Sequence, residues 1–108
     1  MTEEYAAGRR LLSAVIGMAI NDACLPAFED ARGKNFRLHS DAEDALEFLF
    51  FSEQCEKYLM VMDIEPSTFR RCLAEAMYRE KIFDITGTKL RYLRANYRLF
   101  IRMRENNG

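Results

Sequence analysis

Four arginines recur at intervals of three or four residues near the end of the sequence: Arg91, Arg94, Arg98 and Arg102. At about 100° per residue of an α-helix, they fall within a sector of about 80°. A basic stripe of this kind, with aromatic neighbours such as Tyr97, can follow a phosphate backbone. The spacing therefore predicts contact with nucleic acid or another anionic surface. The alternative is a solvated helix face, or salt bridges to acidic residues elsewhere.

A second set of candidate residues follows Pro66. Residues of about 54–81 fit a helix-turn-helix-like pair, in which a short helix and a second helix cross over a tight turn. The residues expected to lock the two helices together are Tyr58, Met62, Ile64, Phe69 and Leu73. The residues expected to point outward and contact DNA are Ser67, Thr68, Arg70 and Arg71. Arginine can fork onto guanine or phosphate, and hydroxyls at a helix N-terminus suit phosphate.

Two positions depart from the usual helix-turn-helix pattern. Leu59 stands where a small residue is common, and Asp63 stands where the turn usually has glycine. Asp63 and Glu65 also place negative charge where phosphates would approach. The alternative is that residues 54–81 form an ordinary helical hairpin of an α-bundle.

The residue types for catalysis or metal binding are sparse. Cys24, Cys55 and Cys72 form no Cys-x-x-Cys pair, and His39 is the sole histidine, so we expect no metal site and no cofactor. Free and mostly buried thiols in a reducing cytoplasm are the simplest expectation. No phosphate-binding glycine loop or hydrolase motif is present, which favours a binding protein over an enzyme.

The elements that must position these residues are predicted from helical periodicity. The sequence of 108 residues is 49% hydrophobic and predicts one all-α domain, a compact bundle of about five helices over residues 1–108. The helices are expected at about 3–23, 40–51, 52–62, 66–81 and 89–104. Residues 27–39 are expected to form a loop. Leu11 and Met18 are expected to widen the buried stripe of a central first helix.

The charges divide unevenly along the chain, although the net charge is −1. Residues 1–68 carry a balance of −7, and residues 69–108 carry +6. Such a split is typical of a polyanion or membrane-surface partner, but it also arises when two halves attract each other within a chain or across a dimer. The longest apolar run has ten residues, about half of what spans a bilayer, so we expect no membrane insertion. An apolar patch on the last helix, formed by Tyr92, Leu99 and Met103, favours self-association.

Several short motifs resemble small phage and prophage proteins of enterobacterial type. They are Arg10 to Ile16, Ala45 to Ser52, Cys55-x-x-Tyr58 and Ile64-x-Pro66-x-x-Phe69-Arg70-Arg71-x-Leu73. The resemblance covers about residues 9–73 and implies an intracellular, phage-derived helical protein of unsettled function, regulatory or DNA-associated. The family supplies no established catalytic residues. The leading prediction is thus a small DNA-binding or regulatory protein. The alternative is a protein-interaction or oligomeric module whose partner is a second copy or a host or phage protein.

Overall fold

The computed structural model describes residues 3–29, 33, 36–78 and 90–107 of the chain. This part contains five α-helices and one two-stranded hairpin, so the prediction of an all-α fold with about five helices is confirmed. The elements are α1 (Glu3–Ala23), β1 (Phe28–Glu29), β2 (Phe36–Arg37), α2 (Ser40–Phe51), α3 (Glu53–Val61), α4 (Pro66–Tyr78) and α5 (Leu90–Asn107). None of these helices is both long enough and apolar enough to cross a lipid bilayer. The predicted last turn of the fourth helix, 79–81, lies outside the described residues.

The core forms where α1 packs along α2 and the other helices close around them. α2 contributes its whole apolar stripe, Ala42, Ala45, Leu46 and Leu49, to this core. Leu59 of α3 and Leu93 of α5 are also completely buried. Burying a leucine side chain contributes about 1.5–3 kcal/mol each, so these contacts hold the helices together more strongly than helix propensity does.

One face of α1 is exposed, contrary to the prediction for this helix. Ile16 and Ala23 are buried, but Leu11 is 66% exposed and Met18 is 65% exposed. Leu11 lies about 140° around the helix from Ile16, so the two side chains cannot reach the same packing surface. α1 therefore lies at the edge of the bundle and has one buried face.

Two short strands, Phe28–Glu29 and Phe36–Arg37, lie within the segment 27–39, where a loop was predicted. β1 and β2 pair antiparallel, with Phe28 opposite Arg37 and Glu29 opposite Phe36. Because successive side chains of a strand alternate between faces, Phe28 and Phe36 lie on opposite faces of this ribbon. Both phenylalanines are exposed, at 51% and 61%.

The helix starts around α2 and α3 depend on side-chain caps. Ser52 caps α3 as its sequence position suggests, since its Oγ accepts hydrogen bonds from the backbone amides of Gln54 and Cys55. Ser40 and Glu43 have the spacing of a capping box, which predicts Ser40 as the cap of α2, but this prediction is wrong by one residue. The cap of α2 is His39, whose Nδ1 accepts from the Asp41 amide at 3.1 Å, and Ser40 is already helical.

α5 is held against the acidic first half of the chain by aromatic and charged contacts. Its Tyr97 and Phe100 rings pack against Phe50 and Phe51 of α2, with centroids 4.8 and 5.9 Å apart. The Arg104 guanidinium lies 3.8 Å from the Phe51 ring centroid and pairs with the Glu47 carboxylate. Part of the charge asymmetry of the sequence is therefore satisfied within one molecule.

Candidate functional site

The turn between α3 and α4 has the backbone geometry of a glycine-type helix end, although it contains no glycine. The Ile64 amide donates to the Leu59 carbonyl at 2.9 Å, and the Asp63 amide donates to the Met60 carbonyl at 3.1 Å. This is a Schellman motif, and Asp63 occupies its left-handed position with φ of 60°. Asp63 thus takes the conformation that glycine usually takes in a helix-turn-helix. Leu59 is accommodated in full burial between the helices.

A carboxylate of the protein itself occupies the N-terminus of α4. The Glu65 side chain accepts hydrogen bonds from the Ser67 and Thr68 amides, at 3.1 and 2.7 Å, and from both of their hydroxyls, at 2.5 and 2.8 Å. These four donors lower the pKa of Glu65 to about 2. Ser67 and Thr68 are exposed as predicted. However, the donors that would hold a DNA phosphate are already used by a negative group.

Arg70 does not point outward, so the prediction for this side chain is wrong. Its Nε and Nη2 donate to the carbonyls of Leu49 and Ser52, each at 3.0 Å, and its Nη1 donates to Glu56 Oε1 at 2.8 Å. The side chain is 20% exposed. Arg70 therefore joins α4 to the α2–α3 junction, because backbone carbonyls at a helix end need donors that the helix cannot supply.

The neighbouring residues of α4 do face solvent. Arg71 is exposed, as predicted, and shows no ion pair with any residue that the structure describes. Cys72 is also exposed, although its place in the apolar spacing of α4 favours a buried side chain. Of the four residues predicted on this helix, Arg71 thus remains the one basic side chain presented to solvent.

The arginine stripe of α5 is divided into members with different surroundings. The side chain of Arg91 lies outside what the structure describes. Arg94 is half-buried, with its guanidinium 6.0 Å from the ring centroid of Tyr78. Arg98 and Arg102 are exposed, and neither forms an ion pair with a carboxylate in the described part of the chain. Among the described side chains of the stripe, those exposed and without a carboxylate partner are therefore Arg98 and Arg102, one helical turn apart.

Arg98 and Arg102 line a groove between α5 and the hairpin, here called the α5–hairpin groove. Its volume is about 400 Å³. The lining residues are Ala27, Phe36, Tyr92, Ala95, Asn96, Arg98, Leu99 and Arg102. Most of them are apolar, and the two arginines supply the charge. Tyr92 and Leu99, which we expected in a self-association patch, are half-buried walls of this groove.

A second hollow of about 440 Å³ continues the groove along α5. The two share Phe36, Leu99 and Arg102. The second hollow adds Arg37 and Met103, together with the carboxylate of Glu43. Two adjoining hollows therefore lie between α5 and the hairpin, and their described lining residues include three arginines and one acidic side chain.

Asn96 has an unusual position among the lining residues. It is 1% exposed, and its Nδ2 donates to the carbonyls of Ala23 and Leu25, at 2.9 and 2.7 Å. These bonds provide hydrogen-bond donors for backbone carbonyls at the C-terminal end of α1. Its Oδ1 is buried and has no hydrogen-bond partner among the residues that the structure describes. Neither Asn96 nor Phe36 is predictable as a site residue, since a polar residue in a helix and an isolated phenylalanine form no specific sequence pattern.

Other kinds of site find no support in the described residues. No three or more histidine, cysteine or carboxylate side chains come together there to hold a metal ion. Cys24 and Cys55 are free and buried, and burial raises the pKa of both thiols, that of Cys24 to about 11. They are therefore poor nucleophiles at neutral pH. Comparison with known protein families, with curated proteins and with solved structures finds no match for this chain.

Proposed function

We propose that this protein binds nucleic acid through the exposed face of α5 and the adjoining hairpin, and not through the helix-turn-helix-like pair. The observation that carries the proposal is the pair of exposed arginines, Arg98 and Arg102, which have no carboxylate partner in the described structure and flank an aromatic groove. Phosphate contacts supply most of the affinity of nonspecific nucleic-acid binding. Aromatic side chains beside them add contacts to bases.

The charges around the α3–α4 turn argue against the helix-turn-helix-like pair, α3 and α4, as the surface that contacts nucleic acid. Glu65 holds the anion-binding end of α4, and the exposed Asp63 adds a second negative charge in the turn. The Arg70 guanidinium already donates hydrogen bonds to the carbonyls of Leu49 and Ser52. These two carboxylates would repel a phosphate near the N-terminus of α4 and so oppose its attraction to Arg71.

Two further observations support the proposal: the phage-type resemblance of residues 9–73 and the free thiols. The first agrees with a regulatory or DNA-associated role, and the second with action in a reducing cytoplasm. No catalytic step and no cofactor is proposed.

The test is a titration of fluorescently labelled single-stranded and duplex oligonucleotides, at about 50 and 200 mM salt. The informative variant is R98Q/R102Q, and its matched control is R10Q/R71Q, which removes two exposed arginines on α1 and α4. Both change the net charge by the same amount. We expect R98Q/R102Q to weaken binding and to reduce the slope of log affinity against log salt by about 1.4 for single strands, while the control changes little. Equal losses in both variants would show unspecific charge attraction, and a larger loss in the control would favour α4.

A second candidate function is a protein-interaction or oligomeric module. The specific observation in its favour is the amount of exposed apolar side chain, including Leu11, Met18 and Met60, each more than 60% exposed. In this case the partner is a second copy or a host or phage protein. Analytical ultracentrifugation of the pure protein separates the two candidates: a salt-independent dimer without nucleic-acid binding supports the module.

A further inference from the structure

The α5–hairpin groove combines three features that a flat basic surface lacks: a buried hydrogen-bond acceptor, an exposed aromatic ring and two arginines. Each points to a different part of one ligand. We propose, resting on the proposed function, that the groove receives an unpaired base and that the protein is specific for single-stranded nucleic acid over duplex.

The acceptor is Asn96 Oδ1. Both hydrogens of the Asn96 amide nitrogen face carbonyls of the α1 end, so the orientation of the amide is fixed and the oxygen is left as acceptor. A buried polar atom without a partner is rare in folded proteins and calls for an explanation, such as strain, a functional role, or a bound water or ion. Asn96 lines the groove, but its Oδ1 is covered in the free protein, so an N–H donor of a bound base would reach this acceptor only after neighbouring side chains move aside. Unpaired bases carry such donors on the edges that pairing otherwise occupies.

The aromatic wall is Phe36 of the hairpin, which is 61% exposed and stands beside the groove. Tyr92 and Leu99 line the same space from α5. A volume of about 400 Å³ lies in the range of small-ligand pockets and is sufficient for one nucleotide. A base in this space would stack on an aromatic ring, which is the usual source of sequence-tolerant affinity for single strands.

The two arginines lie where the backbone of such a strand would run. Arg98 and Arg102 are four residues apart, which corresponds to about 6 Å along the helix axis. This is comparable to the separation of neighbouring phosphates in an extended single strand, so each guanidinium can contact one phosphate.

Duplex DNA fits this surface poorly. A helix that enters the major groove must protrude from its surroundings. The arginines of α5 instead stand beside the hairpin, with Phe36 on one wall of the groove. In addition, the faces of paired bases are covered by stacking, and their Watson–Crick edges are occupied by the partner base.

The experiment compares F36A with F28A. The two phenylalanines belong to the same hairpin and are similarly exposed, but Phe36 lines the groove and Phe28 does not. The probes are a labelled single strand of about 12 nucleotides, a length within the usual site sizes, and the duplex of the same sequence. Circular dichroism verifies that both variants are folded, and F36W keeps an aromatic ring at the site.

We expect wild-type protein to bind the single strand at least about tenfold more tightly than the duplex. F36A should lose about 5- to 100-fold in single-strand affinity, F28A should lose less than about twofold, and F36W should retain binding. Equal affinity for both probes, with F36A matching F28A, overturns this inference and leaves the proposed function standing. Binding of neither probe overturns both. Binding of an acidic amphipathic peptide instead, weakened by R98Q/R102Q, overturns both and assigns the groove to a protein partner.

Discussion

Replacing Arg70 with alanine should destabilise the fold without acting through a nucleic-acid contact. The variant removes two charge-assisted hydrogen bonds to the carbonyls of Leu49 and Ser52, both at 3.0 Å. Each contributes about 1.5 kcal/mol. The partly exposed pair with Glu56 adds less than about 1 kcal/mol. We therefore expect a loss of about 3 kcal/mol in the free energy of unfolding.

The assay is urea unfolding followed by circular dichroism. A loss of this size lowers the urea midpoint by about 1–2 M and the melting temperature by about 10–15 °C. Arg70→Lys should fall between wild type and alanine, because an ammonium cannot span both carbonyls in the geometry of a guanidinium. Arg71→Ala is the matched control, since Arg71 is adjacent and exposed, and should change stability by less than about 0.5 kcal/mol. A stable Arg70→Ala protein that has lost nucleic-acid affinity would refute this account of Arg70 and restore it as a contact residue.

Three further predictions concern the α3–α4 region and the thiols. Glu65→Ala should destabilise the protein at pH 7. Because the folded pKa of Glu65 is lowered from 4.5 to about 2, its contribution is present above pH 4.5 and is lost as the pH falls towards 2. Urea midpoints should therefore converge with wild type over that range, and a constant difference would contradict the assignment. Asp63→Gly should stabilise the protein by about 0.5–1 kcal/mol, and Asp63→Val should destabilise it by about 1–2 kcal/mol, since φ at this residue is 60°. Thermal melts measure both changes, and a destabilising glycine would show that the turn is not held in the left-handed region. Iodoacetamide should modify the folded protein at exposed Cys72 and spare buried Cys24, whose pKa is raised to about 11. Mass spectrometry of the digested protein identifies the sites, and equal labelling of both thiols would be inconsistent with this burial.

The helices were predictable because their ends carry local signals. Ser52 starts α3 with its own hydroxyl, and Pro66 opens α4 at the position where its missing donor costs nothing. These interactions lie within a few residues of each other along the chain. The exposed face of α1 was harder to predict, because composition alone does not show which of two apolar faces packs against another helix.

The hairpin was missed because each strand has two residues, too few for an alternating pattern to appear. The cap of α2 was misplaced because His39 and Ser40 both carry a possible acceptor, and the backbone decides between them.

The candidate site was predicted in part. The stripe on α5 follows from helical periodicity, and Arg98 and Arg102 are exposed as that prediction requires. Arg70 and Arg71 are identical residues next to each other, and what distinguishes them is a contact with carbonyls about 20 residues away in sequence. Asn96 acts on carbonyls more than 70 residues away. Contacts of this range leave no local pattern, so they emerge when the helices are packed.

The most direct test of the central claim is chemical-shift mapping of isotope-labelled protein during titration with a single-stranded oligonucleotide. The account predicts that the largest shifts in backbone amides cluster at Phe36, Arg98, Leu99 and Arg102, while Ser67 to Arg71 stay unchanged. Shifts concentrated at Ser67 to Arg71, without shifts at the α5–hairpin groove, would contradict the proposed binding site. They would identify the helix-turn-helix-like pair as the contact surface.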